Sequence, residues 1–304
     1  MFYHWTVRAE YRLEPCKVAL NRVSGMPFAW SLNPYMGCVH RCTICYVRSF
    51  ELRADRPSGA GYGASIRVKV NVAAVLRREL ARPSWRGEAI AIGAATDPYQ
   101  PAEGRFRLTR ACLEVLAGAS NPFGLITRGP LIVRDLDVLA EAAKRAEVSV
   151  IFSIPTLDEA VWRRTEPGTA PPRQRLRALE RLVGAGIRAS VGMAPILPGI
   201  SDRPEQLAAV VRAAREAGAC GIWANVLYLT PGTREYFLAS LAESWPELLP
   251  EYRRLYDGRA HLGAADSAPV RAAVRELARR HAVGDRRRVR LEPPAPPEQL
   301  TLGL

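Results

Sequence analysis

Apolar, β-branched runs alternate with stretches of helical period through the middle of the chain, and this alternation limits the fold more than any other feature. Strand character appears at residues 29–32, 89–95, 123–127, 148–154, 187–194 and 221–229. Between these runs, helices are expected from Asn71 to about 80 and over 108–116, 135–146, 173–183 and 204–217, the later ones closed by Gly184, Gly186 and Gly218. About six βα units with short connections make a parallel sheet, and right-handed crossovers curl such a sheet into a full or partial barrel. A doubly wound sheet is the competing architecture, but no dinucleotide-type glycine fingerprint follows the first strand. The expected organisation is an N-terminal segment at 1–28, an α/β barrel at 29–234, a helical extension at 235–284 with helices at 245–256 and 268–281, and an extended tail at 285–304.

In a parallel barrel the reactive groups gather at the carboxyl ends of the strands. The first strand run leads there into Asn33-Pro34-Tyr35-Met36-Gly37-Cys38-Val39-His40-Arg41-Cys42-Thr43-Ile44-Cys45-Tyr46. Cys-x3-Cys-x2-Cys supplies three thiolates close together. Three thiolates can hold three irons of a cubane and leave the fourth iron open to a small molecule. The alternative is a Cys3His zinc site with His40, for which His40 lies awkwardly close between Cys38 and Cys42. The other cysteines, Cys16, Cys112 and Cys220, are scattered, and Cys112 and Cys220 read as buried, inert thiols. No disulfide framework is implied.

This motif resembles that of the radical S-adenosylmethionine (SAM) superfamily, and the resemblance implies a [4Fe–4S] cluster on Cys38, Cys42 and Cys45 with SAM on the open iron. In that superfamily one electron from the cluster cleaves SAM to a 5′-deoxyadenosyl radical. Two further stretches, Thr96-Asp97-Pro98-Tyr99-Gln100-Pro101-Ala102-Glu103 and Glu166-Pro167-Gly168-Thr169-Ala170-Pro171-Pro172, are similar to the spore photoproduct lyase-like branch. The resemblance runs from about residue 33 to 233 and implies a partial (βα)6 radical-SAM barrel. It also implies cofactor roles by position. Thr96 and Asp97 meet the SAM amino group, Arg128 its carboxylate, Ser153 the ribose, and Met193 to Pro195 with Tyr228 the adenine. Arg128 is suited to its role, since a guanidinium fork matches a carboxylate. Tyr46 matches a tyrosine that flanks the third cluster cysteine in the lyase and takes part in returning hydrogen. The chain departs from the lyase in having Ala94 where a hydrogen-donating cysteine is expected, and Ile44 in place of a second flanking tyrosine. A different substrate or donor is therefore expected, and Cys112 is a candidate donor only if it faces the barrel mouth.

Composition narrows the setting. Hydrophobic residues make up 48% and charged residues 24% of 304 residues, as in globular domains, and no apolar run is long enough for a membrane helix. Residues 1–10 lack the apolar core of a signal peptide, so a cytoplasmic location is expected. Net charge is +13, with 40 Arg against 3 Lys; this fits affinity for a polyanion, or the coding bias of a GC-rich genome. The end of the chain, Gln299-Leu300-Thr301-Leu302-Gly303-Leu304, resembles the sliding-clamp-binding peptide of bacterial translesion polymerases, and Pro293 to Pro297 would act as a spacer before it. Together these features suggest a radical SAM enzyme acting on DNA, by lesion repair or base modification, with an electron donor such as flavodoxin or ferredoxin. The alternatives are the same chemistry on a protein, RNA or small molecule, and a zinc-stabilised nucleic-acid-binding protein without turnover.

Overall fold

The computed structural model describes residues 9–287. Ten strands form two sheets: β1 (Glu10–Glu14), β2 (Leu20–Arg22), β3 (Trp30–Leu32), β4 (Tyr35–Met36), β5 (Ser65–Lys69), β6 (Ile90–Ile92), β7 (Phe123–Thr127), β8 (Val148–Ser153), β9 (Arg188–Ile196) and β10 (Ile222–Val226). The large sheet runs β10-β9-β8-β7-β6-β3-β2. Neighbours from β3 to β10 pair in parallel, and β2 adds an antiparallel edge. This is the expected partial barrel of six parallel strands, open between its two edges. The small sheet, β1-β5-β4, stands beside the turn that carries the cysteines.

Residue alternation explains how the sheet buries one face and hollows the other. Val148, Val150 and Phe152 of β8 and Ala189, Val191 and Met193 of β9 pack outward into the main core under the helices. Ser149, Ile151, Ser153, Gly192 and Ala194 face a central cavity. Small residues on that inner face leave room where a filled barrel would have Val, Ile or Leu.

The helices answer the expected periods with shifts at their ends. Val72–Leu80 starts after Asn71, but the Asn71 amide clamps the backbone of Cys16 instead of capping the helix. Residues 130–135 form a 3-10 turn before the helix Leu136–Arg145. The single helix expected at 245–256 is broken. Thr233–Ser244 ends at Trp245, a 3-10 turn follows over Pro246–Leu248, and Leu249–Leu255 begins anew. Pro246 and Pro250 cannot donate a backbone N–H, so each starts a helical segment and neither continues one. Ala264–Arg280 is the last helix described. Position 234/235 lies inside Thr233–Ser244, and Phe237 and Leu241 of that helix share a core with Cys42, Ile44 and Leu229. No helix among the described residues is long and apolar enough to cross a membrane. The clamp-like peptide, with Gln299, Leu300, Leu302 and Leu304, lies outside the described residues.

Candidate functional site

The cysteine turn follows β4 and is held by close backbone contacts. Gly37 has φ +83°, and a Cβ there would lie 2.7 Å from the Ser65 carbonyl oxygen. Gly63 has φ +74°, and a Cβ would come within 2.3 Å of the Cys38 carbonyl oxygen. Only glycine fits both positions. Arg41, between the first two cysteines, takes the left-handed conformation with φ 50° and donates to Gly63 O at 3.2 Å. The turn thereby brings Cys38, Cys42 and Cys45 to the wall of one cavity of about 730 Å³ that runs through the barrel, from Ala89, Phe123 and Glu147 at the amino ends of the strands to Thr96, Arg128 and Ser153 at the carboxyl ends. That volume lies in the range of cofactor sites. Tyr46, Tyr62, Thr96, Asp97, Arg128, Ser153 and Tyr228 line the same cavity.

The stretch 96–103 braces the turn. Thr96 Oγ1 donates to Tyr35 O, and the Gln100 amide donates to Gly37 O while accepting from Val39 N. Glu103 is fully buried and accepts from Tyr35 Oη at 2.5 Å, from the Thr109 and Arg110 amides and from Arg134. Asp97 Oδ1 accepts from Tyr99 N and Thr127 Oγ1, and Oδ2 from Arg128 N at 2.7 Å. Much of the Asp97 carboxylate is therefore spent on fixing the strand ends of β6 and β7. Burial alone would raise its pKa, but His40 above all, with Thr127 Oγ1 and Arg128 N, holds it down at about 2.

His40 is buried, with Nδ1 3.4 Å from Asp97 Oδ2 but without hydrogen-bond geometry. Burial alone would lower its pKa, but Cys38 and Asp97 push it up to about 10. Burial opposes ionisation of Cys38, yet His40 draws that thiol below its ordinary value. Cys42 and Cys45 are raised, chiefly by burial. Among the described residues no group of three or more His, Cys, Asp or Glu side chains is placed to hold a single ion. Three thiols spread over one loop suit a polynuclear cluster, in which each sulfur binds its own iron.

Arg128 projects from the end of β7, and Nε donates to Glu166 Oε1 at 2.5 Å. Glu166 is fully buried, and Arg175 grips its other oxygen at 2.9 Å. Burial alone would raise the Glu166 pKa, but Arg175 and Arg128 hold it below the ordinary value. No other side-chain hydrogen bond of Arg128 occurs among the described residues, so the rest of its guanidinium is open to the cavity. The same 166–169 turn buttresses the cysteines. Gly168 N donates to His40 O, and a Cβ on Gly168 would lie 2.7–2.8 Å from backbone atoms of Val39 and His40. Glu166, Gly168 and Arg175 belong to the family-like stretch, which assigns them no role, and Tyr62 and Gly63 carry no sequence signal beyond their residue types.

Ser153 donates to Ala194 O, and Tyr228 stacks on His261 at 5.0 Å and leans toward Tyr46 at 5.9 Å. Tyr46 donates to the carbonyl of Ala94. Burial pushes its phenol up to about 12. Met193 does not reach the cavity. It is fully buried in the main core, because the inner face of β9 is taken by Gly192 and Ala194, one residue to either side. Ala194 and Pro195 line the cavity in its place. Cys112 is fully buried under the helices, and burial drives its thiol well above the ordinary value. Among the described residues the loop cysteines are the only thiols on the cavity.

Comparison with known proteins gives the family and the fold. The Radical SAM superfamily matches residues 32–211. An uncharacterized protein of Mycobacterium tuberculosis is 39% identical over 287 residues, 93% of this chain and 83% of the relative. A protein of Pseudomonas phage M6 named radical SAM Nalpha-GlyT isomerase is 28% identical over 170 residues, 55% of this chain and 33% of that relative. Among solved structures, spore photoproduct lyase complexed with dinucleoside spore photoproduct has a similar fold, with TM-score 0.68 at 17% identity over 90% of this chain and 80% of the other.

Proposed function

Since this chain belongs to the radical SAM superfamily, we propose that Cys38, Cys42 and Cys45 ligate a [4Fe–4S] cluster, that SAM binds beside it, and that the substrate is a damaged or modifiable DNA base. The observation that carries the reading is the meeting of three loop thiols, Arg128 and the strand ends of β6 to β10 on one cavity of about 730 Å³. The bound cluster and SAM would supply a 5′-deoxyadenosyl radical that abstracts hydrogen from substrate.

The protein's own residues orient these groups. Arg128, with Nε fixed by Glu166, turns its remaining N–H groups toward the SAM carboxylate. Thr96 and Asp97 border the SAM amino group, and Asp97 also sets the position of Arg128 through its backbone amide. Ser153 borders the ribose. Ala194, Pro195 and Tyr228 border the adenine. Tyr46 remains protonated at neutral pH and keeps an O–H bond on the cavity wall, which suits it to return hydrogen to a product radical. An acidic one-electron carrier such as flavodoxin or ferredoxin would serve as reductant.

Support for a DNA substrate comes from the net charge of +13 and from the dinucleoside bound by the structurally similar lyase. The peptide from Gln299 to Leu304 would recruit the enzyme to the sliding clamp; equal clamp binding by the full chain and a chain truncated after Glu298 would rule that out. Anaerobically reconstituted protein should contain iron and sulfide and convert SAM to 5′-deoxyadenosine under reduction. With deuterated, lesion-bearing oligonucleotides, deuterium should appear in 5′-deoxyadenosine. Label that stays in the DNA across a panel of lesions, with SAM cleavage intact, would remove the DNA assignment.

A further inference from the structure

Directly behind the cysteine turn, at the start of the helix Arg48–Arg53, Arg48 is fully buried. Its guanidinium donates to four carbonyls: Nε to Cys42 O at 3.2 Å, Nη1 to Ser58 O and Gly59 O at 2.6 and 2.7 Å, and Nη2 to Arg41 O at 3.2 Å. Two tyrosine rings cover it, Tyr62 at 4.6 Å and Tyr236 at 3.7 Å. Tyr236 comes from the helix Thr233–Ser244, which is anchored to the turn by Thr233 Oγ1 donating to Cys45 O at 3.0 Å.

Each guanidinium nitrogen has an acceptor, but the charge has no counter-ion among the described residues. Three acidic residues stand on these same elements: Glu51 pairs with Arg56 at 2.6 Å, Glu235 accepts from Gly232 N, and Glu243 forms no ion pair with Arg48. Among the described residues no carboxylate lies within ion-pair distance of Arg48. A cation removed from water with only dipoles and ring faces around it is costly, and such groups persist where a counter-charge repays the cost. The nearby groups able to carry negative charge are the phenols of Tyr236 and Tyr62 and the thiols of Cys45 and Cys42, and the Tyr62 hydroxyl lies 3.6 Å from Cys45 Sγ.

We propose that Arg48 is a positioning residue that supplies the fixed counter-charge for a cluster held by Cys38, Cys42 and Cys45, favouring its reduced state while its fork locks the turn. The inference rests on the cluster reading above. Three thiolates around a [4Fe–4S]²⁺ core leave a net negative charge, and adding one electron increases it. A buried cation whose guanidinium lies 3.2 Å from the Cys42 carbonyl oxygen therefore stabilises the reduced form more than the oxidised one. At the effective dielectric of a protein interior, losing one such charge shifts a one-electron equilibrium by about tenfold or more.

Arg48→Lys and Arg48→Gln separate charge from geometry. Lysine keeps the charge and loses the fork, whereas glutamine keeps some hydrogen bonding and loses the charge. Each protein is reconstituted anaerobically, assayed for iron and sulfide, and titrated against potential with the reduced cluster read by electron paramagnetic resonance. At the potential where half of the wild-type cluster is reduced, Arg48→Gln should have a reduced-to-oxidised ratio about tenfold lower, and Arg48→Lys a ratio within about threefold of wild type. Equal ratios in all three proteins, or equal shifts in both variants, would overturn the role of charge. If Arg48→Gln does not fold, a tenfold shift in Arg48→Lys alone does the same. Wild-type protein that takes up no iron would instead refute the cluster reading itself.

Discussion

The two walls of the central cavity are built on opposite principles. The wall that carries Cys38, Cys42 and Cys45 is dense with contacts that leave no spare volume. Gly37, Gly63 and Gly168 each admit a carbonyl where a methyl group would collide. Gln100, Arg48 and Thr233 tie the turn's backbone to three separate parts of the chain. The opposite wall, from β8 to β10, presents Ser149, Gly192, Ala194 and Asn225. Its bulkiest side chain, Trp223, is 44% exposed and rests over Gly192, where a Cβ would lie 3.1 Å from the indole ring. The contrast shows where accuracy is needed: metal ligands must be held to a fraction of an ångström, whereas a ligand-sized space needs chiefly small side chains.

Breaking the rigid wall should do far more than changing the roomy one. Replacing any one of Cys38, Cys42 and Cys45 with Ala should abolish iron retention and reduce 5′-deoxyadenosine formation by more than about 100-fold, measured on anaerobic protein. Glu166→Gln comes next. It leaves Arg175 buried against a neutral partner and frees Arg128, so a loss of about 3–5 kcal/mol is expected in denaturant titrations. The same variant tests the electrostatics by pH. Because the folded-state pKa of Glu166 is depressed, its stabilisation is complete above the ordinary 4.5 and fades as pH falls below that value toward the folded pKa. Wild type should lose stability over that interval more steeply than Glu166→Gln, and parallel profiles would contradict the pairing.

Gly168→Ala pushes a methyl group against Val39 and His40 and should cost about 1–3 kcal/mol, with lower cluster occupancy at unchanged secondary structure by circular dichroism. The smallest effect is expected from Trp223→Ala. Iron content and SAM cleavage without substrate should match wild type, and stability should change by about 1 kcal/mol or less, since the ring is already half solvated. A large loss of cluster in Trp223→Ala would erase the distinction between the two walls.

Much of this plan could be read from the sequence, but unevenly. The strands at β7 and β8 and the helices at Leu108–Gly118, Pro172–Gly184 and Pro204–Glu216 fall close to where hydrophobic period, proline and glycine put them. Those signals are local, and local propensity agrees there with tertiary packing. The strands β1, β2, β4 and β5 leave no clear local signal because they are short or flanking and gain their stability from partners distant in sequence. Spacing marks Cys38, Cys42 and Cys45, and resemblance marks Thr96, Asp97, Arg128, Ser153, Tyr46, Met193 and Tyr228; all of these line the cavity except Met193. A resemblance counts residues along a strand, and an error of one position exchanges the inner face for the outer.

The amino-acid order alone dictated the succession of βα units and the grouping of three thiols after the first barrel strand, since both depend on neighbours within a few residues. Only the folded chain decided that Asp97 serves the strand ends, that Glu166 joins Arg128 to Arg175, and that Arg48 lies behind the cysteines under a ring from Tyr236. Arg48 and Tyr236 lie far apart in the chain, and nothing in either residue's surroundings names the other. Whether a charge is paired, and by what, is a property of space that closing the barrel creates.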